Sequence, residues 1–338
     1  MTQAFLPVLE LQHLVGPHGA NDCAKRAVQQ PVQLMISILI PTKNEALDLP
    51  GCLESVQWSD DIHVYDSGST DATVSIARDA GAHVTVRGSD RCREVFGGNE
   101  ADHKNWALSN IPFKYGWVLH LDADERVTPE LAENARRAVA QSTEVAFRIR
   151  RRDFWGKTWM KHVVQSSYYI RLFRPEKLRY ERMVNPVSVV DGPVGELYGY
   201  LDHYPFSKGM SHWMNRHNSY SSLEAEQILK NRASQRGFRL KQAFFAKDFN
   251  ERRFHQKELF YKLPLRPLLK FLLLYVGKRG FLDGSAGFKY GILQSFYEYM
   301  IVLKTKELSE GSAAKTVGAE NSRPIKLESL SVNHGPNE

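Results

Sequence analysis

The chain has 338 residues, 42% of them apolar and 25% charged, the proportions of an ordinary globular protein and far from those of a disordered one. Three cysteines, Cys23, Cys52 and Cys92, are too few and too scattered for a disulfide framework or a closed zinc site, which fits a reducing compartment. The net charge is +7 and the excess is local: residues 230–280 hold 14 Lys/Arg against Asp248, Glu251 and Glu258, so an anionic partner is expected.

Residues 1–34 show no strong periodicity and read as an N-terminal extension, without the charged-then-apolar pattern of a secretory signal. The apolar, β-branched run Ser37-Ile38-Leu39-Ile40 predicts a buried strand ending at Pro41. Asp48 and Pro50 suit the first turn of a helix carrying Leu49, Leu53 and Val56. Ile62–Tyr65 predicts a second strand, followed by the turn Asp66-Ser67-Gly68-Ser69-Thr70-Asp71, whose Thr/Asp pair can cap a helix that stops at Gly81. Ala82–Val86 and Gly116–Leu121 predict further strands, Thr128-Pro129 opens another helix, and Val145–Ile149 another strand. A region rich in aromatics and arginines follows, then a mainly helical, basic one from Leu223. The Ser/Gly/Asn/Pro-rich stretch from Ser309 reads as a disordered tail.

Strands alternating with helices at this spacing predict an α/β fold with a mostly parallel sheet, whose ligands sit beyond the carboxyl ends of the strands. Polar residues fall there: Thr42 to Glu45 after the first strand, Asp66 after the second, Asp122 and Asp124 after the fourth. Two acids one residue apart at a strand end can hold a hard divalent cation while phosphate oxygens complete its shell. The Asp66 carboxylate can accept hydrogen bonds from a base N–H or a ribose hydroxyl, and Glu45 can do the same. The position after the first strand lacks a glycine-rich dinucleotide fingerprint, and no Walker A sequence occurs, which disfavours nicotinamide chemistry and P-loop hydrolysis.

Four segments together resemble the family 2 inverting glycosyltransferases of GT-A fold: Ile38–Glu45, Tyr65–Asp71, Lys104-Asn105-Trp106-Ala107, and Leu121-Asp122-Ala123-Asp124-Glu125. The likeness is nearest to the lipopolysaccharide-core and exopolysaccharide glucosyltransferase branch, which also carries a stretch like Gly199-Tyr200-Leu201-Asp202-His203-Tyr204. The resemblance implies a GT-A, Rossmann-like sheet with a helical, basic C-terminal region. It implies that Pro41, Thr42, Asn44, Glu45, Asp66 and Lys104 bind the donor, that Asp122 meets ribose or metal, and that Asp124 coordinates Mg²⁺ or Mn²⁺ on the diphosphate. A cation there would stabilise the charge that develops on the leaving diphosphate.

Inverting transfer needs a base for the acceptor hydroxyl. Where the branch has Val-His-Glu, this chain has Val184-Asn185-Pro186. Either another carboxylate serves, from among Asp191, Glu181, Glu196 and Asp202, or the correspondence is displaced, or catalysis is lost. Asp191 is preferred, because Val-Val-Asp-Gly reads as a strand end entering a turn.

The remaining charge also bears on partners. Arg148, Arg150, Arg151 and Arg152 read as a solvated strand edge or as a contact for an anionic acceptor. His212, Trp213, Arg216 and His217 lie on a predicted helix that the resemblance puts near acceptor or diphosphate. From Phe244 to Tyr275, aromatic and aliphatic residues interleave with Arg252, Arg253, Lys257, Lys262, Arg266 and Lys270. This suits a membrane interface or a packed helix with snorkelling cations, and no nucleic-acid motif accompanies it.

The expected organisation is an N-terminal extension (1–34), a transferase domain (35–222), a helical membrane-associating region (223–308) and a tail (309–338). The expected function is metal-dependent inverting transfer of a hexose from a nucleotide sugar, a UDP-sugar first, to a lipid-linked or lipopolysaccharide-type glycan acceptor. The enzyme would sit peripherally at the cytoplasmic face of the membrane. Alternatives are transfer to a polyprenyl phosphate, whose own oxygen attacks without a strong base, and a non-catalytic nucleotide-sugar-binding protein.

Overall fold

The run Ile38–Ile40 lies at the centre of β1 (Ser37–Thr42), buried on both faces as a parallel strand covered by helices must be. The computed structural model describes residues 36–87, 100–181, 186–233, 238–246 and 249–321, so the extension expected over residues 1–34 lies outside the described residues. β1 leads into α1 (Leu49–Ser55), β2 (Ile62–Asp66), α2 (Thr73–Asp79) and β3 (His83–Val86), two successive βαβ units. α3 (Glu100–Asn110), β4 (Val118–His120), β5 (Glu125–Val127) and α4 (Pro129–Gln141) follow. The second half adds β6 (Ala146–Trp155), β7 (Thr158–Trp159), β8 (Tyr168–Phe173), β9 (Leu178–Glu181), β10 (Val187–Val190) and β11 (Val194–His203).

The main sheet has the order β3-β2-β1-β4-β8-β6-β11-β5. It is parallel from β3 through β4 and again between β6 and β11, with β8 and β5 inserted antiparallel. β4 and β6 both oppose β8, so β6 and β11 run in the direction of β1. One edge of the sheet therefore collects the carboxyl ends of β1, β2, β4, β6 and β11.

Helices cover both faces. α1 and α4 bury Leu49, Leu53, Leu131, Ala135 and Val139 against Ile38, Ile40 and Leu119, and α3 packs Ala101 and Ala107 on the other face against Leu39, Tyr65 and Phe173. α4 begins as the sequence predicts, with Thr128 Oγ1 accepting from Leu131 N at 3.3 Å. It approaches β11 so closely that a Cβ at Gly199, where φ is +110°, would stand 2.8 Å from the Leu131 Cα.

The C-terminal region is helical: α5 (Gly209–Ala233), α6 (Leu240–Phe245), α7 (Phe249–Tyr261), α8 (Arg266–Leu272) and α9 (Gly284–Asn321). A π turn (Leu273–Gly277) and a 3₁₀ turn (Gly280–Asp283) join α8 to α9. Asp283 fastens this region to the loop after β7, its Oδ2 accepting from His162 N at 2.9 Å and Val163 N at 2.7 Å.

Several expectations need correction. β1 continues through Pro41 to Thr42, Pro41 pairing with Tyr65, because the ladder there does not need the missing N–H. The N-cap of α2 is Ala72, while Asp71 Oδ1 accepts from Thr73 N at 3.0 Å inside the first turn. The boundary placed at 222/223 falls inside α5, which crosses it unbroken. The tail expected from residue 309 is helical to Asn321 as the end of α9, and residues 322–338 lie outside the described residues. The basic, aromatic stretch Phe244–Tyr275 is divided among α6, α7, α8 and the π turn.

Candidate active site

The turns after β1 and β2 are laced together before any ligand is considered. Asp66 is fully buried, and its two oxygens accept from Thr42 Oγ1 (2.9 Å), Gly68 N (2.9 Å), Ser69 N (2.7 Å) and Ser69 Oγ (2.5 Å). Four bonds fill a carboxylate's acceptor sites, so Asp66, expected to face a base or ribose, shapes the turn instead. Lys43 Nζ donates to Ser67 O at 2.8 Å, and Asn44, held at φ +54°, accepts from Thr70 N through Oδ1 at 2.8 Å. The result is a rigid rim in which Pro41 and Glu45 keep partial exposure and Thr42 is buried.

Asp122, Asp124 and Glu125 stand at the end of β4, and each has a cationic partner. Arg171 on β8 is buried, with Nη2 at 2.5 Å from Asp122 Oδ2 and 2.7 Å from Glu125 Oε1. Glu125 is wholly buried, accepts from Asp122 N at 3.0 Å and has Arg151 3.8 Å away. Burial raises the Asp122 pKa, but the Arg171 charge outweighs it and holds the carboxyl well below its ordinary value. For Glu125, burial wins and the pKa is raised.

Asp124 belongs to a second chain of groups. His203 Nε2 lies 3.2 Å from Asp124 Oδ2, and its Nδ1 lies 2.5 Å from Asp153 Oδ1. The parallel pairing of β6 and β11 sets this geometry by placing His203 opposite Asp153. Burial works against a charged ring, yet Asp124 and Asp153 raise the His203 pKa to about 9. The same ring holds Asp124 below the usual carboxylate range despite burial.

Facing these acids is the start of α5. Lys208 Nζ lies 2.5 Å from Glu45 Oε1 and donates to Asn44 O at 2.9 Å, and Ser207 Oγ donates to Asp48 Oδ2 at 2.7 Å. Burial, opposed by Lys208, raises the Glu45 pKa to about 7. Arg216, two turns into α5, acts electrostatically on both Asp124 and Asp122. Lys104 on α3 lies over the Tyr180 ring at 5.1 Å, and burial lowers its pKa against the pull of Asp122. Glu100, at the start of α3, has a pKa raised by burial against Lys104 and Arg216.

The structure thus brings Glu45, Asp124, Asp122 and Lys104, each to the next, within electrostatic reach at the carboxyl edge of the sheet, with Pro41, Thr42 and Asn44 in the adjoining rim. It does not bring Asp191. That residue precedes β11 at the opposite edge of the sheet, with its carboxylate highly exposed and 3.1 Å from Lys177 Nζ. The other candidates are also committed, Glu181 to Arg179 at 2.8 Å and Asp202 to Arg152 in a bidentate pair at 2.6 and 2.8 Å. Glu196 is exposed near the start of β11. Sequence reasoning missed Arg171, Asp153, Glu100 and Lys208. It singled out Arg151 and Arg216 as contacts for acceptor or diphosphate, and His203 within the Gly199–Tyr204 stretch.

Among the described residues no group of three or more His, Cys, Asp or Glu forms a metal-binding set. A carboxylate beside substrate phosphates is a usual setting for Mg²⁺, so Asp124 could hold a divalent cation near a diphosphate, with His203 Nε2, 3.2 Å from it, joining once its proton is displaced. The Asp153 carboxylate on the far nitrogen of His203 is the outer partner that a metal-bound imidazole ordinarily has. The donor set fits the group.

Residues 37–194 match the family model described as Glycosyl transferase family 2. The chain is 29% identical over 277 residues to the lipopolysaccharide core biosynthesis glycosyltransferase LpsC of Rhizobium meliloti (strain 1021), covering 77% of this chain and 90% of that one. It is 25% identical over 289 residues to an uncharacterized glycosyltransferase of Rickettsia typhi, covering 81% and 87%. Among solved structures, glucosyl-3-phosphoglycerate synthase from Mycobacterium tuberculosis in complex with Mn²⁺, UDP and glucosyl-3-phosphoglycerate aligns at TM-score 0.27 and 20% identity, over 36% of this chain and 44% of that one. S. aureus TarS aligns at TM-score 0.36 and 15% identity, over 76% and 55%. The family match runs from the start of β1 to the start of β11 and so covers nearly all of the α/β sheet.

Proposed function

We propose that this chain, a family 2 glycosyltransferase through residues 37–194, moves a hexose with inversion from a nucleotide sugar to a lipid-linked or lipopolysaccharide-type acceptor. A UDP-sugar is the first donor to test, Mg²⁺ or Mn²⁺ is the cofactor, and the cytoplasmic face of the membrane is the site of action. The observation that carries the reading is the Asp124–His203–Asp153 chain at the carboxyl edge of the sheet, opposite the cations of α5. The lipopolysaccharide-core relative supports the acceptor class.

Asp124, with His203 once its proton is displaced, would hold the cation, and the chemistry it would supply is stabilisation of charge on the departing diphosphate. Arg216 on α5 faces the same charge, and Lys208, just before α5, adds a cation that is shared with Glu45. Pro41, Thr42, Asn44 and Glu45 border the nucleoside, and Asp66 keeps their rim in shape. Arg171 fixes the Asp122 carboxylate, leaving its exposed edge, with Lys104, for ribose and sugar hydroxyls. We give the proton-accepting role to Glu100, a half-buried carboxylate at the start of α3 within electrostatic reach of Lys104, Arg216 and Asp122. A polyprenyl phosphate acceptor is the second reading, favoured by the commitment of Asp191, Glu181 and Asp202 to ion pairs.

The test is UDP release and product anomeric configuration with UDP-hexoses, Mn²⁺ and a panel of lipid-linked acceptors. The wild type should turn over with inversion, Asp124→Ala should not, and Glu100→Gln should lose activity on a hydroxyl acceptor while keeping it on polyprenyl phosphate. Nucleotide binding without turnover on any acceptor would leave the non-catalytic alternative standing.

A further inference from the structure

Between Lys262 and Lys306 the chain has eight Lys/Arg and two acids, Asp283 and Glu298. Both acids are buried. Asp283 is spent on the backbone N–H groups of His162 and Val163, and Glu298 lies 2.6 Å from the equally buried Arg266. No carboxylate of this segment reaches solvent, whereas Lys262, Lys278, Arg279, Lys289 and Lys306 do.

The same segment exposes a large amount of hydrocarbon. Leu265, Leu268, Leu272, Leu273 and Val276 stand out along α8 and the π turn, and Phe281 and Leu282 form the apex of the 3₁₀ turn. α9 adds Phe288, Ile292, Phe296, Tyr299 and Leu303, spaced three or four apart and so along one helix face. The two helices are one unit: Phe288 meets Phe271 and Tyr275 with ring centroids 5.9 and 5.6 Å apart, and Ser295 Oγ donates to Pro267 O at 2.7 Å. An apolar surface of this extent on one helical pair marks an interaction site.

We propose that this face is a docking surface for an anionic bilayer. Its leucines and phenylalanines enter the headgroup–acyl boundary, and Lys262, Lys278, Arg279 and Lys289 meet anionic headgroups. The charge pattern selects this occupant over a second copy. An isologous contact would set Lys262, Lys278, Arg279 and Lys289 against themselves, the nearest exposed carboxylates on α9, Glu307 and Glu310, lying beyond Leu303 at the far end of the face. Among the described residues no helix is long and apolar enough to cross a membrane, so the helices lie on the surface. The inference deepens the membrane-face reading above and rests on it for its purpose. It also moves the contact: the sequence points to Phe244–Tyr275, but Arg266 of that stretch is buried and the exposed apolar residues continue into α9. Through Asp283 and the loop after β7, the docked face is tied to the transferase domain.

Co-sedimentation of the full chain with phosphatidylcholine vesicles, with and without about one-third phosphatidylglycerol, tests it. The wild type should bind the anionic vesicles, more weakly as salt rises. Both Leu268→Ser/Leu272→Ser/Val276→Ser and Lys278→Glu/Arg279→Glu should weaken that binding about tenfold or more. UDP binding and the thermal transition should be unchanged, because every altered side chain is exposed. Undiminished vesicle binding in both variants would overturn the proposal. So would a wild-type dimer that the leucine variant abolishes. Vesicle binding that survives when UDP binding is absent in the wild type would refute the transferase reading and leave this one intact.

Discussion

Replacing Arg171 by methionine should cost about 3–5 kcal/mol of folding stability above neutral pH, the range for removing one partner of a buried ion pair. The guanidinium is 6% exposed and touches both Asp122 and Glu125, and Glu125 is 0% exposed. Without it, Glu125 keeps only the Asp122 N–H at 3.0 Å and the Arg151 cation at 3.8 Å. Its pKa, already raised by burial, must rise further. A carboxyl whose folded pKa exceeds its unfolded one costs stability as pH climbs between the two, about 1.4 kcal/mol per unit of difference. The loss in Arg171→Met should therefore be larger at pH 8 than at pH 5, where Glu125 can stay protonated. Urea unfolding at both values measures it, and Arg171→Met/Glu125→Gln should recover part of the loss at pH 8. A loss below about 1 kcal/mol, or one that is the same at both pH values, would refute the assignment of a buried, Arg171-compensated charge.

Three further outcomes are expected. Glu45→Gln should stabilise the fold by up to about 3 kcal/mol at pH 8 and by little at pH 4, because burial lifts the Glu45 pKa from its ordinary value of 4.5 to about 7; paired urea titrations give the difference. Gly199→Ala should destabilise by about 3 kcal/mol or more, seen as a lowered thermal midpoint, since the new methyl meets the Leu131 backbone at 2.8 Å and φ is +110°. Asp191→Asn should leave turnover within about twofold of wild type, because its carboxylate pairs with Lys177 at the far edge of the sheet; a loss of about a hundredfold would return it to the site.

The first half of the fold was legible because its signals are local. Buried strands, the glycine turn at 68, and Thr128-Pro129 each announce themselves within a few residues. The acids at strand ends were legible for the same reason, since a strand's carboxyl end is fixed by its own hydrophobic run. What was hidden depends on distant pairing. Asp153 meets His203 because β6 and β11 lie side by side, fifty residues apart in sequence. Arg171 sits on an antiparallel strand whose insertion between β4 and β6 no periodicity reveals. Asp66 was read as opening the turn but is the last residue of β2, and the four internal donors that occupy it come partly from Thr42 on the neighbouring strand. Asp191 failed for the converse reason: its local pattern was read correctly as a strand end and turn, but strand direction puts that turn at the wrong edge.

The most direct test of the donor site is calorimetric titration of UDP, against GDP and CDP, with and without Mn²⁺, on the wild type, Asp124→Ala and His203→Ala. Selective UDP binding that requires Mn²⁺ and is lost in both variants is the predicted result. Nucleotide binding indifferent to Mn²⁺ and undiminished in both variants would contradict it.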